Sequence, residues 1–366
     1  IYTDIDGPIR YSEYGLYTQI QKKFADDRLK LTASGRFDKS EFFEGFFSPR
    51  VSLAYTAGER RNHNIRASYQ TGFRNPDTQS LFIGLDAGRA ILVGSAPDNL
   101  DRDVRVFPVN NIAANGGNAT ATILGRAAYE NSFTLNSVNL GAPAASDVGL
   151  VQPEKVQSFE VGYRSQVGKF IIDMSGYYNV FEKFIANETV LVPLYGTVGD
   201  NTLSLLALQE GDFRAYQTYT NSDADVKAYG ATLGVSTKIF GNFDLDANYT
   251  YAKQDFDQAS FPDFRTSFNT PEHKVKVGFG NTDIVENVGF NINWRWSDAF
   301  FWQATFADGN VPSYHVIDAQ FNVRVPSIKS TFKIGGANIG GREYFTAFGT
   351  GLIGSQYYVS WSINNL

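Results

Sequence analysis

The chain has 366 residues, a formal net charge of −6, no cysteine, and an aromatic-rich composition of 30 Phe, 20 Tyr and 4 Trp beside 34 Gly. Without cysteine there is no disulfide framework or thiolate metal site, and without a basic excess there is no electrostatic footprint for nucleic acid. No apolar run reaches the length of about 18 residues that a membrane-crossing helix needs, but barrel strands alternate and so escape hydropathy averaging.

The opening Ile1-Tyr2-Thr3-Asp4 has neither the pattern of a signal peptide nor that of its processed end, so the true N-terminus is expected upstream. Beyond it, period-2 alternation predicts about thirteen strands. In chain order they are 13–23, 29–37, 50–55, 65–73, 159–163, 170–180, the two arms of a hairpin over 229–251, then 274–279, 288–296, 316–325, 331–338 and 357–363. The first puts Tyr14, Leu16, Thr18 and Ile20 on one face and Glu13, Tyr17, Gln19 and Gln21 on the other. The central hairpin is the most regular. Tyr229, Ala231, Leu233, Val235 and Thr237 line one face of its first arm, and Phe243, Leu245, Ala247, Tyr249 and Tyr251 one face of its second. Each arm has about ten residues, the length of a tilted strand crossing a bilayer, with aromatics near both ends. Taken alone, the hairpin also suits a soluble sandwich with its apolar side inward.

The connections separate the two readings. Short turns near 25–27, 58–62, 165–169, 239–242, 281–287 and 326–327 alternate with longer loops, the longest being about 74–155 and 182–226. Outer-membrane barrels keep short periplasmic turns and long extracellular loops, whereas a sandwich has no reason to shorten every second connection. The expected fold is therefore all-β, a transmembrane antiparallel β-barrel, with the C-terminus at the periplasmic end. An odd strand count does not close a bacterial single-chain barrel. Residues 1–366 are accordingly expected to be the C-terminal portion of one larger barrel domain.

Signals for chemistry are weak. His63, His273 and His315 are the three histidines, with no Gly-x-Ser-x-Gly and no grouping of His with Asp and Ser in sequence, so no enzyme is expected. The glycine-rich run from Gly335 to Gly341 lacks the Lys-Ser/Thr of a phosphate loop. Asp98, Asp101 and Asp103 do not have the spacing of a calcium loop and read as a solvated segment. No metal and no cofactor is expected.

Several short motifs, taken in order, resemble the C-terminal barrel half of TonB-dependent outer-membrane receptors, in the branch with a carboxypeptidase-regulatory-like N-terminal domain. They are Ser48-Pro49-Arg50, Thr71-Gly72-Phe73-Arg74-Asn75-Pro76, Gln152-Pro153-Glu154-Lys155 followed by Phe159-Glu160-Val161-Gly162-Tyr163, and Asn269-Thr270-Pro271-Glu272-His273-Lys274. Phe301-Trp302, Ala307-Asp308-Gly309 and Gly354-Ser355-Gln356-Tyr357-Tyr358-Val359-Ser360 complete the set. The resemblance implies a 22-stranded barrel with a plugged lumen, so that about nine strands, the plug and the TonB box would lie upstream. One departure is the end, Ile363-Asn364-Asn365-Leu366, where such barrels usually finish on an aromatic residue.

What the resemblance implies for function is TonB-dependent import of a scarce nutrient (a metal chelate, cofactor, oligosaccharide or peptide) across the bacterial outer membrane. The alternative is a passive porin or an outer-membrane binding and assembly platform. Partners would be outer-membrane lipid, TonB with its inner-membrane complex, and a surface lipoprotein. Arg36, Arg66, Arg74, Glu160, Arg164, Asp246 and Arg295 are expected to face the lumen, gripping the plug or lining a path, or else only pairing across strands. Loops held on a rigid scaffold concentrate recognition. The expected contacts are therefore Phe82, Leu85, Phe107, Tyr129 and Phe133 in the longest loop, and Phe300, Phe301, Trp302 and Phe306 in the loop 297–314.

Overall fold

A period-2 pattern becomes structure only when neighbouring strands agree on register, because a slip of one residue turns every side chain to the other face. The computed structural model, which describes residues 7–200, 202–262, 264–304 and 307–363, shows that they agree. Thirteen strands form one antiparallel sheet in unbroken sequence order. They are β1 (Glu13–Phe24), β2 (Leu29–Ser40), β3 (Phe46–Ala57), β4 (His63–Arg74), β5 (Glu154–Val167), β6 (Phe170–Glu182) and β7 (Val226–Ile239). There follow β8 (Phe243–Asp255), β9 (His273–Val285), β10 (Val288–Ser297), β11 (Tyr314–Val325), β12 (Ser330–Ala337) and β13 (Gln356–Ile363). The sheet is an open arc in which β1 and β13 each have one neighbour.

The pairing carries one face across the whole arc. Leu233 of β7 sits between Met174 and Tyr249, and Leu245 of β8 opposite Thr237 and Phe279. Ile292 of β10 lies between Phe279 and Ala319, and Ile334 of β12 between Phe321 and Val359. Among the described residues no second layer covers this face: Leu233 and Ile292 are each 41% exposed, Ile334 58% and Val359 78%. A sandwich would bury this face under a second sheet; left uncovered, it has the character of the lipid-facing side of a membrane barrel. Aromatic rings lie toward both ends of the apolar face. Tyr178, Tyr229, Tyr251 and His273 are in successive ring contact near one rim, and Phe243, Phe279 and Phe290 cluster near the other.

Six short turns collect at one end. Arg28 donates to the Gly58 carbonyl at 2.9 Å and Arg61 to that of Asp26 at 2.7 Å, so adjacent turns are tied together. The hairpin turn between β7 and β8 takes left-handed backbone at Phe240 (φ 47°) and Gly241 (φ 93°); at the second, glycine has no Cβ to clash. At the opposite end the longer connections touch in series. Phe42 packs on Phe82 (5.8 Å), Phe184 on Phe264 (5.8 Å), Arg265 pairs with Asp308, and Tyr314 stacks on Tyr344 (4.7 Å).

Three sequence expectations need correction. Strands extend beyond the alternating stretches: β3 begins at Phe46 rather than 50, with Pro49 inside it opposite Gly35, and β5 runs over Glu154–Val167. The outer connection 41–45 is consequently as short as the turn 58–62, so strict alternation of loop length fails there. Third, the two long gaps are folded. Gly84–Asp86, Ile91–Val93, Phe213–Ser222, Phe184–Pro193 and Phe133–Thr134 form a five-stranded mixed sheet, in that order, with Ile91–Val93 parallel to the strand carrying Tyr216. Its core joins Val93, Leu100, Ala128 and Tyr129 from the first loop to Val190, Val192, Ala207 and Tyr216 from the second. The molecule's buried apolar core is therefore in this outer unit, while the wall strands expose their apolar side.

Candidate functional site

Two surfaces are available for function: the polar face of the wall and the folded unit over its outer end. All seven charges expected in the lumen lie on the polar face, and most have cross-wall partners. Arg66 and Arg164 both reach Asp173, at 3.3 and 3.7 Å, and Arg295 pairs with Asp318 at 3.0 Å; Arg36 instead pairs within its own strand, with Asp38 at 2.7 Å. Glu160 accepts from the Ser68 hydroxyl at 3.5 Å, and Asp246 lines a depression with Asn248, Lys276, Asn293, Arg295 and Asp318. Solvated pairs of this kind contribute at most about 1 kcal/mol each. Their effect is to hold long side chains along the wall.

Arg74 differs. It pairs at 2.7 Å with Glu154, whose side chain is only 7% exposed and whose Oε2 also accepts from the Ile185 amide at 2.8 Å. One buried carboxylate thus ties the last residue of β4, the first of β5 and the strand Phe184–Pro193 of the outer unit. Asp212, also buried, joins the two long loops by accepting from the amides of Asn110 (2.6 Å) and Asn111 (2.9 Å). Asp308 gathers Arg265 in a two-pronged pair, Arg89 at 4.0 Å and the Ala304 amide at 3.0 Å, which brings three outer loops to one carboxylate. None of these partners was legible from spacing, because each depends on register or on contacts between distant loops.

The aromatic candidates of the longest loop are placed differently from expectation. Phe82, Tyr129 and Phe133 are buried (8%, 9% and 2% exposed) in the cores of the outer unit. They pack the fold of the loop, with less than a tenth of each left exposed. The Tyr129 hydroxyl donates to the Tyr219 carbonyl at 3.0 Å and accepts from the Tyr219 amide at 3.1 Å, and burial raises its pKa well above that of free tyrosine. Leu85 is partly buried against the same cluster as Phe82. Phe107 carries the Arg214 guanidinium over its ring at 4.8 Å. Phe300 and Trp302 are half-buried in the short strand Phe300–Trp302, Phe301 is exposed, and Phe306 lies outside the described residues, as do the terminal residues 364–366.

Residues with chemical potential are otherwise engaged. Folding brings Ser165 to 2.9 Å from His63 Nδ1, a proximity that spacing did not reveal, but Tyr163 Oη shares that nitrogen at 2.7 Å and Ser165 is 2% exposed. The pair is thus a buried contact near the end of a wall strand. Among the acids of 98–103, Asp101 forms a two-pronged pair with Arg126, and Asp103 pairs with Arg105.

Comparison with known proteins agrees with this geometry. Residues 2–339 match the profile of a family described as TonB dependent receptor-like, beta-barrel. No curated protein sequence matches the chain. Among solved structures, the siderophore receptor PirA from Acinetobacter baumannii superposes with a TM-score of 0.59 at 13% identity, covering 95% of this chain and 45% of its own. A variant of the ferric enterobactin receptor PfeA from Pseudomonas aeruginosa gives 0.60 at 12%, with 95% and 44% covered. The FrpB iron transporter from Neisseria meningitidis gives 0.57 at 11%, with 96% and 46% covered. At such identities the likeness is one of fold, and the chain spans less than half the length of each.

Proposed function

This chain belongs to the TonB-dependent receptor β-barrel family, whose members are integral proteins of the bacterial outer membrane, and on that premise we propose that it forms the C-terminal wall of an energised importer. About nine further strands, a plug and a TonB box would stand upstream in a 22-stranded barrel. The open arc and the half-length match to solved receptors support this reading. In it, solute binds at the outer end, TonB remodels the plug at the expense of the inner-membrane proton gradient, and the polar wall lines the path released. The family is one of receptors and transporters, and the wall would contribute surface and charge, not bond chemistry. A carboxypeptidase-regulatory-like N-terminal domain and a surface lipoprotein over the outer unit belong to the same proposal.

The observation that carries it is the division of labour along the wall strands: an apolar face with no cover among the described residues, a polar face bearing charges, and a folded unit at one end. A metal chelate is the substrate class to test first, since the structural neighbours named above are iron and siderophore receptors. Cells expressing the full-length protein are expected to accumulate a labelled ferric chelate from submicromolar supply, and cells lacking it are not. Equal accumulation across a panel of chelates would remove that substrate class.

A further inference from the structure

The polar face of β2 to β6 contains a depression with a hydroxyl floor and a cationic rim. Register sets Thr32, Ser52, Ser68 and Glu160 side by side across β2 to β5. The next row toward the short turns holds Lys30, Ala54, Arg66 and Gly162, and the row toward the outer end holds Arg50. All of these but Gly162 line one cavity. Lys30 and Arg50 have no carboxylate partner among the described residues, unlike Arg36, Arg74 and Arg295. Arg66 lies across Gly162, where an added Cβ would collide with its guanidinium. Arg66 is already paired with Asp173 and the Ser68 hydroxyl with Glu160, so Lys30 and Arg50 are the unpaired cations; Glu160 offsets one of them, leaving an excess of one beside the hydroxyls of Thr32 and Ser52.

Cations beside hydroxyl donors are the groups that replace the hydration of an oxyanion, because charge-assisted hydrogen bonds are the stronger kind. We propose that this depression is an oxyanion subsite on the inner wall, taking a carboxylate or phosphate group of a diffusible solute on its way through the barrel. The proposal rests on the import reading and deepens it: the cargo, or the group by which the wall holds it, is anionic. Gly162 leaves room for Arg66 to cross β5 to Asp173, so the cations left to the depression are Lys30 and Arg50.

The test is titration of the full-length receptor in detergent with inorganic phosphate at low ionic strength. Saturable binding is expected, weakened about tenfold or more in the Lys30→Gln/Arg50→Gln variant, as loss of charge-assisted contacts implies. It should also weaken as salt shortens the Debye length to well below 10 Å. Lys333→Gln, on the same face of β12, should bind as wild type. No phosphate binding by the wild type, as when upstream residues of the same polypeptide fill the depression, overturns the proposal, as does equal binding by the double variant. Energised uptake that persists with no phosphate binding would remove the subsite alone and leave the import reading in place.

Discussion

Leu233→Arg is expected to block assembly of the barrel, while Asp246→Asn assembles as wild type. Leu233 is at the middle of β7 on the apolar face, between Met174 and Tyr249. There an arginine faces hydrocarbon at a cost of about 2–4 kcal/mol. That is a large part of the margin of about 5–15 kcal/mol by which folded proteins are typically stable. Asp246 faces the aqueous side beside Lys276 and Asn293, where an amide keeps the hydrogen bonding and loses only a solvated charge. Leu245→Arg should be milder than Leu233→Arg, because Leu245 is the third residue of β8 from the short-turn end and the penalty falls to about 0–1 kcal/mol near the interface. The fraction of full-length protein showing heat-modifiable migration on gels reads all three. Equal tolerance of Leu233→Arg and Asp246→Asn would mean the faces are inverted.

The second large effect belongs to the outer unit. Tyr216 is fully buried in the shared core of the two long loops, on the strand that pairs in parallel with Ile91–Val93. Truncation of a buried aromatic to alanine costs about 3–5 kcal/mol. Tyr216→Ala should therefore unfold residues 75–153 and 183–225 together, with β1–β13 still assembled. Tyr216→Phe should behave differently. Its hydroxyl is buried with no hydrogen-bond partner among the described residues, so removing it relieves a desolvation penalty instead of breaking a bond. Protease added to intact cells is expected to nick both loops of Tyr216→Ala and neither loop of Tyr216→Phe. Nicking confined to one loop would show that the two fold independently.

These variants mark where the sequence was readable. The alternation of β7 and β8 is local, so their faces, their turn and the lipid-facing role of Leu233 followed from residue types alone. The start of β3 did not, because Ser48-Pro49 resembles a loop, and only pairing with β2 draws the strand back to Phe46. The outer unit was hidden for a different reason. Its core joins residues more than 80 apart and includes a parallel pair, neither of which leaves a periodic trace in sequence. Phe82, Tyr129 and Phe133 therefore looked like free contacts of a polar loop when they are its core. The charges of the polar face were visible as charges, but the pairing of Arg66 with Asp173 across β4, β5 and β6 required the register of three strands.

Together these features describe a wall that is passive in itself: lipid holds one face, water and charge the other, and a jointly folded pair of loops caps the outer end. Its place in an energised importer is the central claim, and uptake of a labelled ferric chelate with the proton gradient intact or collapsed by a protonophore tests it most directly. Accumulation above the external concentration that disappears on adding the protonophore, with surface binding retained, is the predicted result. Uptake undiminished by the protonophore would contradict it and leave the chain as part of a passive porin.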